Sequence, residues 1–214
     1  MQPTCLSAYR KLASTLPWGA DSKVVDADGN LVPVFRGQHG AREHWGETLL
    51  GSLSFGSAAA ASTYALQPNV HTMTVQAPKV YPVFLDIRNP FIETADDPFM
   101  DLSRYNEVFG LAETCRIARK FKDYLEHTNA WEEAAAEHGV ESVVELADTR
   151  PELLLKLYFE VYALLDDPDE VARLRAAGFD GAIYGGSGET AMETEYRVFS
   201  EDQVRSVWDT RLAA

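Results

Sequence analysis

The chain has 214 residues, 46% of them hydrophobic and 11% aromatic, which is enough for one domain with a sizeable core and excludes global disorder. No stretch approaches the roughly 20 apolar residues that cross a bilayer, and Ser7, Arg10 and Lys11 interrupt the apolar run that a secretory signal needs. We therefore expect a cytoplasmic protein without a membrane partner, and its net charge of -14 disfavours nucleic acid, whose phosphates it would repel.

The two cysteines, Cys5 and Cys115, lie far apart, and neither belongs to a closely spaced metal-binding pair. Reduced thiols are the expected state, and no zinc or other metal site is predicted. Cys115 falls within a helical pattern, which favours a core position over a nucleophile.

The first part of the chain is predicted to be a short helix followed by strands. The apolar spacing of residues 6–16 indicates the helix. Apolar residues on both sides of Asp28-Gly29 predict a β-hairpin, whose second strand would deliver Arg36-Gly37 at its end. Residues 49–55 indicate a further strand, and Ser57 is placed to cap the helix that follows it.

The middle of the chain changes from strand to helix. Residues 80–87 form a β-rich run in which Pro82 indicates a sheet edge or a strand start. From about 102 to 177 the apolar spacing becomes helical, and we interpret this stretch as a helical insertion. Within it, residues 151–165 and 168–177 are each predicted as one helix with proline at its start.

The chain returns to strands after the insertion. Residues 181–184, 195–199 and 204–207 have β-rich patterns, and a flexible glycine-rich loop at 185–188 follows the first of them. The whole chain, 1–214, is predicted as a single α+β domain with a small, mostly antiparallel sheet and one helix-rich arm.

Three short blocks within these elements carry residues suited to chemistry. Arg36 followed by Gly37 suits anion binding, because a guanidinium forks onto phosphate or ribose oxygens and glycine lets a ligand approach the backbone. Residues 51–57 offer small hydroxyl side chains that could hold a sugar or an amide. Glu193 and Glu195, two apart on a predicted strand, would present two carboxylates to one cleft. Each block also has a plain structural interpretation: a surface arginine, a serine-lined sheet edge and an acidic edge strand.

The order of these blocks resembles the ADP-ribosyltransferase family, which includes bacterial toxins, phage enzymes and poly(ADP-ribose) polymerases. Three motifs follow one another in the order found in the toxin and phage branches. The first is an arginine motif at a strand, the second is a serine-rich strand that leads into a helix, and the third is a C-terminal strand that contains glutamate. The similar segments are residues 35–37, 53–57, 62–65, 81–91, 178–183, 195–199 and 203–206.

Two of these motifs can be compared residue by residue with the family patterns. The family's second motif is usually Ser-Thr-Ser, and only Ser54 matches it here, with Ser57 as a candidate substitute. The third motif, Glu193-Thr194-Glu195, fits the Glu-x-Glu pattern of the branches that modify arginine. The resemblance implies split antiparallel β-sheets around an NAD cleft, with the helical insertion added to them.

The resemblance also implies a role for each site residue. Glu195 would stabilise the oxocarbenium-like state formed as NAD⁺ loses nicotinamide. Arg36 would anchor a phosphate or ribose oxygen, and the backbone of Gly37 would bond the nicotinamide amide. Ser54 would support Glu195 or the ribose. Glu193 would position and deprotonate the acceptor, most simply an arginine side chain, because a guanidinium is otherwise protonated and a poor nucleophile.

Phe55 and Tyr64 complete the expected NAD⁺ contacts, although Tyr64, like His39, also fits a packing role. The expected partners are then NAD⁺ as substrate and a protein acceptor. We expect the protein to act in the cytoplasm of a bacterial or phage-infected cell. One form of this expectation is that the protein is delivered there as an effector.

Three alternatives stay open at this stage, and one of them, given the altered serine motif, is a degenerate family member that binds NAD⁺ but does not turn it over. An NAD⁺ glycohydrolase would use the same cleft with water as the acceptor. A non-enzymatic acidic inhibitor or DNA-mimic protein is motivated by the net charge of -14, and it would bind a basic protein and not NAD⁺.

Overall fold

The computed structural model describes residues 21–39, 48, 50–68, 73–75 and 77–208, and the helix predicted over 6–16 lies outside these ranges. The chain divides into two compact units. The first consists of Met1–Asp96 and Asp167–Ala214, and the second of Asp97–Asp166. Each unit contains both helices and strands, and most strand pairs are antiparallel, which confirms the coarse prediction of an α+β fold.

The strands of the described ranges are short. In chain order they are β1 (Val34–Gln38), β2 (Leu53–Phe55), β3 (Lys79–Leu85), β4 (Pro90–Thr94), β5 (Phe99–Asp101), β6 (Tyr158–Glu160), β7 (Gly181–Gly185), β8 (Thr194–Val198) and β9 (Val204–Ser206). The α-helices are α1 (Ala58–Ala65), α2 (Leu102–Phe109), α3 (Leu111–Lys120), α4 (Lys122–Leu125), α5 (Asn129–His138), α6 (Val143–Thr149), α7 (Val161–Asp166) and α8 (Pro168–Ala176). Short 3₁₀ helices cover Pro151–Lys156, Gly188–Thr190 and Glu201–Gln203.

The first unit contains two sheets. One has the strand order β1-β3-β9, and the other has the order β2-β8-β7-β4. All neighbours are antiparallel except β4 and β7, which are parallel. The two sheets are linked where Phe35 and Gly56 exchange two backbone hydrogen bonds of 2.9 Å. That link brings the middle of β1 beside the end of β2.

Apolar residues of both sheets share one core. Its buried members are Val24, Val34, Leu53, Phe55, Val83, Leu85, Ile87, Ile183, Val198 and Val204. The alternation of buried and half-buried residues along β1 and β2 is what a strand with one core-facing side produces.

The strand predicted over 80–87 is β3, but its place in the sheet differs from the prediction. Pro82 is the fourth of its seven residues, and β3 is the central strand of its sheet, neither an edge nor a strand start. Pro82 lies opposite Phe35, whose N–H donates to Gly56 and not to β3. The pair is therefore not hydrogen-bonded, so proline costs no ladder bond to β1 there.

Several predicted boundaries also move. The hairpin at Asp28-Gly29 is present as a short turn closed by a bridge between Val25 and Leu31. The sequence predicts Arg36 at the end of a strand, but in the structure Arg36 lies in the middle of β1. Of the described residues in the strand predicted over 49–55, those of β2 are strand. The capping prediction is confirmed, since the Ser57 side chain accepts from the Ala60 amide at 3.1 Å.

The second unit holds most of the predicted insertion, with different limits. It covers Asp97–Asp166, so α8 belongs to the first unit and not to the insertion predicted over 102–177. The single helix predicted over 151–165 is wrong: a 3₁₀ helix, β6 and α7 replace it, and β6 pairs with β5. Within the ranges given above, no helix combines the length and the apolar character needed to cross a membrane.

Candidate functional site

Arg36, Ser54 and Glu195, predicted from three separate blocks, come together beside the link between the two sheets. The Ser54 hydroxyl donates to Glu195 Oε1 at 2.7 Å, across 141 residues of sequence. Arg36 Nη1 donates to the backbone carbonyl of Ser54 at 3.0 Å. The antiparallel pairing of β2 with β8 produces the first contact, because it sets Ser54 opposite Arg197, two residues from Glu195.

Glu195 is buried, with 4% of its surface exposed, and a second strand residue neutralises its charge. Arg197 Nε lies 2.6 Å from Glu195 Oε1, and the two side chains are only 6% and 5% exposed. Both residues lie on the buried face of β8, where residues two apart point the same way. The result is an interior ion pair rather than an isolated carboxylate.

The other carboxylate oxygen of Glu195 is held by Thr190. The Thr190 hydroxyl is 2.5 Å from Glu195 Oε2 and 2.9 Å from the carbonyl of Ser187. A hydroxyl has one proton, and the nearer, charged acceptor takes it, because a hydrogen bond to a carboxylate is about twice as strong as a neutral one. Thr190 ends a 3₁₀ helix that begins at Gly188, the last residue of the loop predicted over 185–188, so a folded turn directly after that loop holds the carboxylate.

Two glycines make room for Thr190. A Cβ atom on Gly186 would lie 2.2 Å from the Thr190 hydroxyl oxygen, and one on Gly56 would lie 2.8 Å from its Cγ2. Real Cβ atoms do not approach so closely, so a side chain at either position would push Thr190 away from Glu195.

Arg197 is fixed by further polar groups. Its Nε is 3.2 Å from the hydroxyl oxygen of Tyr184, and its Nη1 donates to the Ser52 hydroxyl at 3.3 Å. Tyr184 is fully buried, and burial raises the pKa of its phenol, which therefore stays neutral. These contacts fix the orientation of the guanidinium and, through it, the orientation of the carboxylate.

The ionisation of Glu195 reflects opposing effects. Burial by itself raises the pKa of the carboxyl group, because a charge loses hydration in the interior. The charge of Arg197 and hydrogen bonds from Thr190, Ser54 and Arg197 act in the other direction and prevail. The pKa of Glu195 is thus below its ordinary value, and the residue is a carboxylate at neutral pH.

Arg36 and Gly37 lie next to this cluster. The Arg36 guanidinium carbon is 5.8 Å from the centre of the Phe55 ring, a cation–π distance, and 9% of Arg36 is exposed. A Cβ on Gly37 would lie 2.1 Å from the carbonyl oxygen of Ala61, so the close approach of α1 already requires glycine there. Because Phe35 bonds to Gly56 and not to β3, strand alternation directs the amide and carbonyl of Gly37 to that same side.

Three remaining candidates are less closely associated with the cluster. Glu193 is exposed and precedes β8, so the prediction that it shares a strand face with Glu195 is wrong; Arg197 has that place. Tyr64 is 41% exposed on α1 and makes a tilted ring contact with His39 at 5.0 Å. Ser57 serves α1 as its cap, and Ser54 alone of the two serines bonds to Glu195.

Sequence reasoning missed Arg197, Thr190 and Tyr184, and it included Ser52 only as one of the hydroxyl residues of 51–57. Arg197 could have been found, because it is two residues beyond Glu195 on a predicted strand and must share its face. Thr190 could not, because only the turn between it and β8, in which the Glu193 amide donates to the Thr190 carbonyl at 2.9 Å, brings its hydroxyl back to the carboxylate.

Comparison with known proteins found no relative of this chain. Neither the protein-family models, nor the curated proteins, nor the solved structures contain a match to this chain.

Proposed function

We propose that this chain cleaves NAD⁺ and transfers ADP-ribose to a protein side chain, most simply arginine, on an ADP-ribosyltransferase-like split-sheet fold. The observation that carries the proposal is the hydrogen bond from Ser54 to Glu195, with Arg36 bonded to the same serine. The family pattern assigned these three residues to one site, although they are far apart in sequence. A chance match of short motifs gives no reason for these three residues to be linked by hydrogen bonds in the folded chain.

The proposed reaction breaks the bond between ribose C1′ and the nicotinamide nitrogen. The bonding electrons leave with nicotinamide, which becomes neutral, and positive charge develops on the ribose. Glu195 accepts hydrogen bonds from Ser54, Thr190 and Arg197, and the buried Tyr184 hydroxyl lies beside it. We assign to this carboxylate a hydrogen bond from a ribose hydroxyl that shares or replaces one of these donors, and that would hold the sugar against the negative end of the cluster.

Arg197 changes what Glu195 contributes. The buried pair has no net charge, so the carboxylate acts as one end of a fixed dipole and not as an isolated anion. A dipole held by Ser54, Thr190 and Arg197 needs no reorganisation when charge develops on the ribose, and that is the condition under which electrostatic stabilisation is most effective.

Donor binding is assigned to β1. Arg36 is fixed by the Ser54 carbonyl and the Phe55 ring and would bind a phosphate oxygen of NAD⁺. The backbone amide and carbonyl of Gly37, directed away from β3, match the donor and acceptor of a carboxamide such as that of nicotinamide.

Acceptor activation is assigned to Glu193. It is exposed and lies just outside β8, where it can meet a second macromolecule without disturbing the buried cluster. The acceptor nitrogen would attack C1′ and lose its proton to Glu193. In the glycohydrolase alternative, water attacks instead, and the rest of the reaction is the same.

An acidic DNA-mimic function draws no support from this cluster, because Glu195 and Arg197 are interior and nearly neutral as a pair. The test is to incubate the protein with NAD⁺ labelled in its adenylate part and a bacterial lysate. Label on protein supports transfer, and free labelled ADP-ribose supports hydrolysis. Intact NAD⁺ at all protein concentrations would reject both.

A further inference from the structure

The second unit contains a pocket of about 530 Å³ that no part of the proposed NAD⁺ chemistry uses. It lies between the β5–β6 ribbon on one side and α4 with the start of α5 on the other. A volume of this size is within the range of small-ligand sites. Its lining residues are Phe99, Asp123, Tyr124, His127, Thr128 and Glu160.

Aromatic rings form one part of this lining, which we call the aromatic–acidic pocket. Phe99 is 39% exposed and Tyr124 is 41% exposed. Each is supported from behind: Phe99 packs edge-on against Tyr158 with centroids 5.1 Å apart, and Tyr124 packs edge-on against Tyr162 at 6.0 Å. The rings are therefore held in place while part of each remains open to a ligand.

Carboxylates form the other part. Glu160 is directly opposite Phe99 in the antiparallel β5–β6 pair, so its carboxylate lies beside that ring. Asp123 precedes Tyr124 on α4 and is 81% exposed, with Lys122 at 4.0 Å as a loose, solvent-exposed partner. No lysine or arginine is among the lining residues, although Lys122 stands at the rim.

Tyr162 adjoins both Glu160 and Tyr124. Burial, first, and then these two neighbours raise the pKa of its phenol. This chain of groups connects the β5–β6 ribbon to α4 across the pocket wall. A preorganised acidic group next to an aromatic face loses less entropy on binding than a mobile one.

The net charge of the second unit also favours a cationic ligand. Residues 97–166 contain seven Lys and Arg against fifteen Asp and Glu, a formal net charge of -8. Such a field raises the local concentration of cations. A metal ion is not favoured, because the described residues hold no group of three or more His, Cys, Asp or Glu side chains placed to coordinate one.

We propose that the aromatic–acidic pocket binds a guanidinium group, carried by an arginine-type side chain of a partner. A guanidinium is flat, stacks on aromatic faces and donates two parallel hydrogen bonds to one carboxylate, which matches Phe99, Tyr124 and Glu160 together. An ammonium group matches the charge but not the stacking. This proposal does not depend on the NAD⁺ chemistry.

The test is an NMR titration of the ¹⁵N-labelled full chain with N-acetyl-arginine amide, its lysine analogue and its uncharged citrulline analogue. Arginine should shift the backbone signals around α4, β5 and β6, and bind at least about threefold more tightly than lysine or citrulline. An arginine tripeptide and agmatine, titrated separately, distinguish a peptide ligand from a free small molecule. No shift at these elements, or equal binding of citrulline, would overturn the proposal, and equal binding of lysine would overturn the choice of guanidinium.

Variants then locate the site. Glu160→Gln and Tyr124→Leu should each weaken arginine binding by about 3- to 30-fold, while Tyr124→Phe, which keeps the ring, should weaken it less than Tyr124→Leu does. Glu152→Gln and Leu111→Ala are matched controls, because both residues are exposed in the same unit and outside the pocket. Circular dichroism confirms folding for each variant. Equal losses in pocket and control variants would reject this pocket as the site.

Discussion

Arg197 Nε and Glu195 Oε1 are 2.6 Å apart in an ion pair that is almost completely buried. Ser54 and Thr190 bond to the same carboxylate, so one interior cluster holds residues from β2, β8 and the turn before β8. Removing one member of such a pair strands a charge, whereas replacing both with apolar residues does not. The single and the double replacement therefore distinguish the contribution of the ion pair to stability from its contribution to catalysis.

The first prediction concerns stability. Arg197→Met leaves Glu195 buried without its cation and should lower the free energy of unfolding by about 3–5 kcal/mol. The double variant Glu195→Leu/Arg197→Met should recover most of that loss, while remaining unable to cleave NAD⁺. Urea denaturation of the two variants measures the difference, and Arg119→Met is the control, because Arg119 pairs with a carboxylate that is exposed. If the double variant were no more stable than the single one, the loss of stability could not be attributed to the uncompensated charge of Glu195.

The second prediction concerns pH. The folded pKa of Glu195 is below the ordinary glutamate value of about 4.3, so its stabilising contribution is present above that pH and is lost as the pH falls through the folded pKa. The difference in free energy of unfolding between the native chain and Glu195→Gln should therefore shrink below about pH 4.3. Glu93→Gln, at an exposed carboxylate, provides the reference. A difference that grows in acid would mean that burial prevails and the pKa is raised.

The third prediction separates the two serines of the second motif. Ser54→Ala removes a donor to Glu195 and should slow NAD⁺ cleavage per folded molecule by roughly tenfold or more, since hydrogen bonds to charged groups contribute about 1.5–3 kcal/mol. Ser57→Ala removes the cap of α1 and should cost about 1 kcal/mol of stability while leaving cleavage unchanged. Steady-state kinetics and thermal unfolding on both variants decide the matter. If Ser57→Ala slowed cleavage and Ser54→Ala only lowered stability, Ser57 would be the functional serine of the second motif.

Much of the strand-level organisation could be predicted because it depends on local patterns. The cap at Ser57 and the hairpin at Asp28-Gly29 follow from side-chain and turn chemistry within a few residues. The meeting of Arg36, Ser54 and Glu195 was anticipated from the family resemblance and not from periodicity. Pairing between β2 and β8 is a long-range event, and no spacing rule specifies it.

The errors have physical reasons. Proline lacks an N–H, which predicts an edge position for Pro82, but the backbone of Pro82 faces away from β1 and toward Val207, just past the end of β9. Residues 158–160 were assigned to a helix because leucines around them are spaced helically, and pairing with β5 overrides that tendency. Glu193 was placed inside a strand that begins one residue later, and boundaries of that kind shift by a residue or two.

The fourth prediction concerns Glu193, which we expect to control the acceptor and not the donor. Glu193→Gln should leave NAD⁺ binding and slow nicotinamide release nearly intact, because the exposed side chain lies outside the buried cluster. Labelling of protein should fall severely, since an amide cannot accept the guanidinium proton. Nicotinamide release and protein labelling are measured side by side, with Glu93→Gln as the control. Equal loss of both signals would assign Glu193 to the donor, and loss of neither would make it a surface carboxylate.

The most direct test of the account is nicotinamide release from NAD⁺ by the native chain and by Glu195→Gln, with NAD⁺ binding followed by calorimetry on the same samples. We expect measurable release by the native chain and a rate on the order of 10²–10³ lower in the variant, because one preorganised stabiliser of the transition state is lost. Binding should persist in both. No release and no binding by the native chain, or undiminished release by Glu195→Gln, would contradict the assignment of NAD⁺ cleavage to this site.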